Sequence, residues 1–340
     1  MKALVCMAPG KFEYREISDP VLEQDHVIIK ISRIGICGTD LHAYEGIQPF
    51  FKYPRILGHE LSGQIIAGNH VEGFELGEAV TIIPYFSCGK CIACLSGKSN
   101  CCVNIQVCGV HIDGGMTEYL SVPSYSLVHG DGLSMKELAL IEPQAIGAHG
   151  IRRAHLKVNE YVLIVGAGPI GLGAAEYARI AGSNVIVMDI QEYRLSICKE
   201  KLSIQHVINP SDGDVREKLM EITHGNMPTV VIDATGNLNA INHSFDYLAH
   251  GGRYILIGLQ KGFIEFSHPE FHKREATLKS SRNATREDFE HVIQSMKTGK
   301  ANPVSYLTDS VKFDRVPGKF ISLINHESDA VKSMIEMYDV

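Results

Sequence analysis

At 340 residues the chain is longer than one hydrophobic core ordinarily serves, which predicts two domains. Its 45% hydrophobic and 21% charged residues describe an ordinary globular protein, and a net charge of −7 leaves no general positive excess to grip a phosphate backbone, so nucleic acid is excluded as a partner class. No charged-then-apolar leader opens the sequence, and the apolar run near 161–182 is interrupted by Glu176 and Arg179, so neither export nor a membrane span is expected and the protein is assigned to the cytoplasm.

From Lys2 to Arg33 short alternating apolar segments, Lys2–Cys6 and His26–Ile31, are broken by Pro9-Gly10 and Asp19-Pro20 and predict strands joined by turns. Leu61–Ile66 and Ala79–Pro84 continue the pattern, so the N-terminal domain is predicted to be β-rich. Two clusters in this region carry chemical side chains, Cys37-Gly-Thr-Asp-Leu-His42 and Gly58-His59-Glu60. Cys37, His59 and Glu60 offer one soft and two harder ligands, a set that suits zinc and leaves a position open for substrate or water. Taken singly, a lone Cys is more often core and a His-Glu pair more often solvated.

Ser87 to Cys102 holds five of the nine cysteines. Cys88, Cys91, Cys94 and Cys102, spaced C-x2-C-x2-C-x7-C, can converge on a tetrahedral ion in the manner of a structural zinc site, with Cys101 as a neighbour that could replace Cys102. A disulfide or reactive-thiol cluster is the alternative, and the reducing cytoplasm favours metal. Beyond it, Ser134-Met-Lys-Glu137 predicts a helix opened by a capping box, and Pro143 predicts a break that turns the carboxylate of Glu142 toward a site, where it is a candidate fourth ligand.

From Glu160 the pattern becomes strand, glycine turn, helix, strand. Tyr161–Val165 predicts a buried strand, Gly166-Ala-Gly168-Pro-Ile-Gly171 the turn, Pro169–Ala181 a helix and Asn184–Met188 a second strand ending on Asp189. Such a turn between strand and helix cradles a pyrophosphate on free backbone N–H groups, so Gly166, Gly168, Pro169, Ile170 and Gly171 are candidate dinucleotide contacts. Asp189, eighteen residues past Gly171, suits the ribose 2′-OH and would repel a 2′-phosphate, and Ile190 and Gln191 supply no compensating cation; the expected cofactor is NAD. Arg194 either covers the adenine or is solvated. Val230–Asp233 and Arg253–Gly258 continue the α/β alternation, with Thr235 and Gly258 near their ends as further cofactor candidates. The apolar stretch from Arg253 to Phe266 would suit a subunit-joining edge strand or an ordinary buried one. A helix over Glu287–Lys297 and a short mixed tail complete the chain.

Gly35-Ile-Cys-Gly-Thr-Asp-Leu-His42, Gly58-His-Glu60, the cysteine cluster, Glu142-Pro143 and Val165-Gly-Ala-Gly-Pro-Ile-Gly171 together resemble the zinc-dependent medium-chain dehydrogenases, the alcohol and polyol dehydrogenase superfamily, over nearly the whole chain. The resemblance implies an α/β protein with a GroES-like β-rich catalytic domain (1–145 and 284–340) and a doubly wound parallel-sheet Rossmann domain (146–283), nicotinamide and zinc lying in the cleft between them. It implies two zinc ions per subunit, a catalytic one on Cys37, His59 and Glu60 with Glu142 approaching it, and a structural one on the four cysteines. It assigns proton relay to Thr39, the cofactor ribose and His42, makes Asp40 the orienting acceptor for His59, and suggests a homodimer or homotetramer. A glutamate where a second Cys would be expected in simple alcohol dehydrogenases points toward polyols, sugar acids or threonine.

Gln48–Arg55, Gly109–Gly115 and Ser267–Asp288 resemble the bacterial hexonate 5-dehydrogenases more narrowly. That implies oxidation of the C5 hydroxyl of an L-galactonate-like hexonate to a ketohexonate. Arg282 is the expected partner of the substrate carboxylate, because a guanidinium binds it in a bidentate fork. Asn283 and His111 are candidate hydrogen-bonding residues and Phe50 a pocket wall. A neutral polyol or L-threonine dehydrogenase is the alternative enzyme, and a zinc and NAD-binding sensor without turnover the alternative of another class.

Overall fold

The structure, a computed structural model, describes residues 1–48, 51–68, 73–324 and 329–338. It divides into two units. The first comprises Met1–Glu142, Thr285–Lys297 and Leu307–Val340, the second Pro143–Ala284 and Thr298–Tyr306. The tail is therefore split, since the short segment Thr298–Tyr306 groups with the second unit and not with the rest of the C-terminal residues.

The chain begins with ten strands: β1 (Lys2–Ala8), β2 (Lys11–Glu16), β3 (His26–Ile36), β4 (Arg55–Ile56), β5 (Glu60–Gly68), β6 (Ala79–Ile82), β7 (Tyr85–Phe86), β8 (Gln106–Val107), β9 (Tyr119–Pro123) and β10 (Leu127–His129). Six parallel strands follow in the second unit, β11 (Tyr161–Val165), β12 (Asn184–Met188), β13 (His206–Ile208), β14 (Val230–Asp233), β15 (Arg253–Leu256) and β16 (Thr277–Ser280), before β17 (Leu307–Lys312) and β18 (Lys332–Glu336) return to the first.

In the first unit β10-β6-β5-β3-β18-β17 form a sheet, with β9 also paired to β3, and β2-β1-β4 form a smaller one. Alternating side chains from these strands, among them Leu4, Ile29, Ile31, Leu61, Val80 and Ile335, bury a common core. Strand β3 organises the unit, because it pairs antiparallel with β5, β9 and β18. Its last residues run directly into Cys37 and the helix Gly38–Glu45.

In the second unit the order is β13-β12-β11-β14-β15-β16, all parallel, so the strand order reverses at β11. Val162, Leu163 and Ile164 are fully buried, as a parallel strand covered on both faces requires. The carboxyl ends of β11 and β14 flank this switch point, where open α/β sheets bind their ligands. Strand β15 lies between β14 and β16, so Arg253–Leu256 is an interior strand and the sheet edge on that side is β16; Tyr254 and Ile255 serve the core, whereas Leu259, Phe263 and Phe266 farther along the stretch are exposed. Pro143 causes no break either. It sits in the first turn of the helix Ile141–Ala154, where a missing N–H costs nothing, and the interruption falls just before, after the Ser134-capped turn Met135–Leu138. Among the described residues no helix is long and apolar enough to cross a membrane.

Candidate active site

Among the described residues, two groups of side chains able to hold a metal form in the first unit. In each, the ligand atoms all lie within 4.8 Å of one another: Cys88, Cys91, Cys94 and Cys102 in one, Cys37, His59 and Glu60 in the other. The four-cysteine lobe is closed at its base by the pairing of β7 with β8, on either side of it in the chain. Cys91 and Cys94 bracket one helical turn, their sulfurs 3.4 Å apart, and the backbone N–H groups of Cys88 and Asn104 both point at the sulfur of Cys102 at 3.3 Å. Backbone N–H groups, chiefly that of Cys94, lower the pKa of Cys91 to about 6, which favours the thiolate a metal needs. Cys102 is buried and joins the group, while Cys101 is exposed and stands outside it.

The second group is built by register. Gly35 at the end of β3 faces Glu60 on β5 on one side and Met334 on β18 on the other. A Cβ on Gly35 would lie 1.8 Å from Glu60 Oε2, so glycine alone leaves room for the glutamate carboxylate. Lys332, at the start of β18, ion-pairs with that oxygen and donates to the carbonyl of Ile36 at 3.0 Å. Glu60 is fully buried and Lys332 is 2% exposed.

The loop that delivers His59 is held from beneath. Gly114, Gly115 and Met116 donate to the carbonyls of Ile56, Gly58 and Leu57 at 2.8–2.9 Å, and a Cβ on Gly114 would sit 2.3 Å from the Gly58 oxygen. The stretch Gly109–Gly115, singled out for substrate, thus buttresses Gly58-His59. Within it, His111 is half-buried and its Nδ1 accepts from the Val107 N–H at 3.0 Å. Asp40 is the third residue of the helix Gly38–Glu45 and is buried. Its Oδ2 accepts from Cys37 N–H at 3.0 Å and its Oδ1 from Gly58 N–H at 3.2 Å, which binds the two ligand-bearing loops together. His59 Nδ1 lies 3.7 Å from Asp40 Oδ1, beyond hydrogen-bond range, so Asp40 acts on the imidazole through its charge and through the backbone it holds. Thr39, half-buried, and His42, exposed, stand three residues apart on that helix.

Glu142 is buried and accepts a hydrogen bond from the hydroxyl of Tyr85. Burial, with Glu60 adding to it against the opposing pull of His59, pushes its pKa up to about 7. Burial opposes charge on His59, yet Asp40, Cys37 and Glu142 hold its pKa well above the ordinary imidazole value, and Lys332 is likewise held up by Glu60, Cys37 and Glu142 against its burial. His59 Nδ1 and Glu60 Oε1 are buried without a hydrogen-bond partner, while Glu60 Oε2 faces Lys332. Orphaned acceptors beside a thiol, in a pocket whose acids draw positive charge, fit a zinc ion.

Lys332 and Tyr85 do not stand out from the sequence as site residues. A lysine amid the buried residues Val331, Met334 and Ile335 is a weak signal, and a tyrosine beside the cysteine lobe carries none.

The cofactor candidates lie in the second unit at the switch point. Gly166 has φ +100°, and a Cβ on Gly171 would meet the Gly166 oxygen at 1.8 Å, whereas one on Gly168 would meet nothing within 4 Å. The turn is therefore packed from below and open above, with Pro169 and Ile170 half-buried at the start of the helix Pro169–Ile180, as a pyrophosphate cradle requires. Asp189 takes N–H donors from Ala167 at 2.6 Å and Gln191 at 2.8 Å, locking the glycine turn to the end of β12 while keeping acceptor capacity. Arg194 is half-buried in the next helix. Asp233 organises the end of β14 by accepting from Thr235 Oγ1 at 2.5 Å and Gly236 N–H at 3.2 Å, and a Cβ on Gly258 would press on Gly236 N at 2.2 Å. Arg282, exposed, and Asn283, with φ +52°, follow β16 in the same unit. Phe50 lies outside the described residues.

The two units and their sites define a zinc-type dehydrogenase. The chain matches the family model for the alcohol dehydrogenase GroES-like domain over residues 23–131 and that for the zinc-binding dehydrogenase over residues 169–298. It belongs to this family and is an oxidoreductase acting on CH–OH groups. Among curated relatives, L-galactonate-5-dehydrogenase from Escherichia coli (strain K12) is 42% identical over 336 residues, covering 98% of each chain. Among solved structures, an alcohol dehydrogenase from E. coli CFT073 complexed with NADH superposes with a TM-score of 0.92 at 30% identity, covering 99% of both chains. A zinc-binding dehydrogenase from Sinorhizobium meliloti 1021 bound to NADP does so with a TM-score of 0.90 at 27% identity, again over 99% of both.

Proposed function

We propose that the protein oxidises a secondary hydroxyl of a sugar acid, an L-galactonate-like hexonate at C5, with NAD as hydride acceptor and one zinc ion at each of its two ligand groups. The convergence of Cys37, His59 and Glu60, with His59 Nδ1 and Glu60 Oε1 buried and unpaired, carries the reaction; the 42% identity to L-galactonate-5-dehydrogenase supports the substrate. Zinc supplies Lewis-acid stabilisation of the charge that develops on the substrate oxygen as hydride leaves. Asp40 holds the Cys37 and His59 loops in register, and Lys332 restrains Glu60. Thr39 and His42 pass the hydroxyl proton outward, His42 being the exposed end of that path.

Asp189 supports NAD over NADP, since a 2′-phosphate would meet a carboxylate flanked by Ile190 and Gln191. Arg282 binds the substrate carboxylate, and Asn283 and His111 hydrogen-bond its hydroxyls. The test is reduction of NAD and of NADP, followed separately on L-galactonate, L-gulonate, sorbitol and L-threonine with and without chelator. Chelator-sensitive reduction of NAD on a hexonate is expected, with Arg282→Ala raising KM for hexonates and leaving that for sorbitol. Equal rates on sorbitol and hexonates would remove the sugar-acid assignment, and a preference for NADP would remove the reading of Asp189.

A further inference from the structure

The base of the four-cysteine lobe reaches the reaction centre through the side chain of Tyr85. Tyr85 lies on β7, two residues before Ser87, and is pinned across the lobe's base by its pairing with Val107 on β8. Tyr85 is 6% exposed and its hydroxyl donates to Glu142 Oε1. Glu142, itself 4% exposed, stands outside the set of side chains whose ligand atoms converge, although its charge acts on His59 and Glu142 in turn responds to Glu60.

A structural zinc site is closed by four protein ligands, whereas a catalytic one keeps a position open. A buried carboxylate without a donor takes whatever cation is within reach, because an uncompensated buried charge is costly. With Cys37, His59 and Glu60 already converging, Glu142 as a permanent fourth ligand would close the site. The geometry points to Tyr85 as a positioning residue that holds Glu142 clear of the metal position, with the β7–β8 base of the cysteine lobe as its mount. The lobe then has a use in the reaction beyond its own stability: it fixes the phenol that keeps the other site open. This inference rests on the proposed metal position at Cys37, His59 and Glu60.

The experiment compares the full-length cobalt- and zinc-loaded protein with its Tyr85→Phe variant, which keeps the buried ring and loses only the hydroxyl. The absorption bands and the metal pool lost in Cys37→Ser identify the reaction-centre metal. In Tyr85→Phe those bands should shift and release of that pool to a chelator should slow by roughly tenfold, the low end of what an outer partner of a metal site is worth. The same change should lower kcat more than it alters KM. In a Glu142→Gln background, whose neutral amide is a poor zinc ligand, adding Tyr85→Phe should leave release and bands unchanged. A second variant, Cys94→Ser, loosens the mount and should move the Cys37-dependent bands in the same direction. Unchanged bands and release in Tyr85→Phe, or equal changes with Gln at 142, would overturn the role of Tyr85. A Cys37→Ser protein that loses no metal would instead overturn the metal-site reading on which it rests.

Discussion

Glycine at position 35 decides whether the reaction centre can exist. The side chain of Glu60 passes over it to reach Lys332, so one methyl group at Gly35 would occupy the space of Oε2. Gly35→Ala is expected to expel the carboxylate from its seat, lowering the metal content of the Cys37 group and costing about 1–3 kcal/mol of overpacking strain. Metal analysis and a melting curve on the same preparation check both; full metal content with wild-type melting would mean that Glu60 sits elsewhere. At the same scale, Asp40 shows what sequence spacing leaves open. It can be read beside His59 from the motifs, but its oxygens are taken by N–H groups: that of Cys37, three residues away, closes a local helix cap, and that of Gly58 is reached only through the packing of two loops.

Among elements, the amino-terminal ends of β11, β14 and β15 are tied by Glu160. Its carboxylate receives Arg253 Nη2 at 2.8 and 2.7 Å, Thr229 Oγ1 at 2.7 Å and Lys157 N–H at 2.9 Å, while Arg253 Nε also donates to Ala154. Burial alone would raise the pKa of Glu160, but the donors of Thr229, Lys157 and Arg253 outweigh it and hold it below the ordinary glutamate value. A depressed folded-state pKa contributes stability that is fully present above the unfolded value of about 4.3 and is lost as pH falls through the folded one. Glu160→Gln is therefore expected to cost about 1–2 kcal/mol at neutral pH. The difference from wild type should stay constant down to about pH 5 and shrink below the unfolded pKa. Urea midpoints of the two proteins across that range test it; a difference independent of pH would assign the loss to packing. Strand and helix positions here follow the apolar pattern closely, because β11 is buried on both faces and its unbroken run has no other reading. The pairing of β15 on both sides does not follow from that pattern, since an edge strand and an interior strand of the same length can be equally apolar.

Across the whole molecule the two metal positions carry different consequences. Zinc analysis should give about two ions per chain, one for each converging group. Cys37→Ser and Cys94→Ser should each remove one. Loss at Cys37 should abolish NAD reduction while the melting profile persists. Loss at Cys94 should unfold the lobe, where a four-ligand zinc site contributes folding energy of order 10 kcal/mol. A single ion in the wild type, or identical phenotypes for the two variants, would contradict the division of labour.

The sequence by itself determined features that chain connectivity holds within a few residues: the cysteine spacing of the lobe, the glycine turn between β11 and its helix, the Ser134 capping box, and the proximity of His59 to Glu60. Tertiary structure alone decided the rest. Lys332 meets Glu60 because β18 pairs with β3 beside β5, and Tyr85 meets Glu142 because a two-stranded base carries it there. Such contacts join segments far apart in the chain, and their existence depends on sheet order and register, to which local propensity and periodicity are blind.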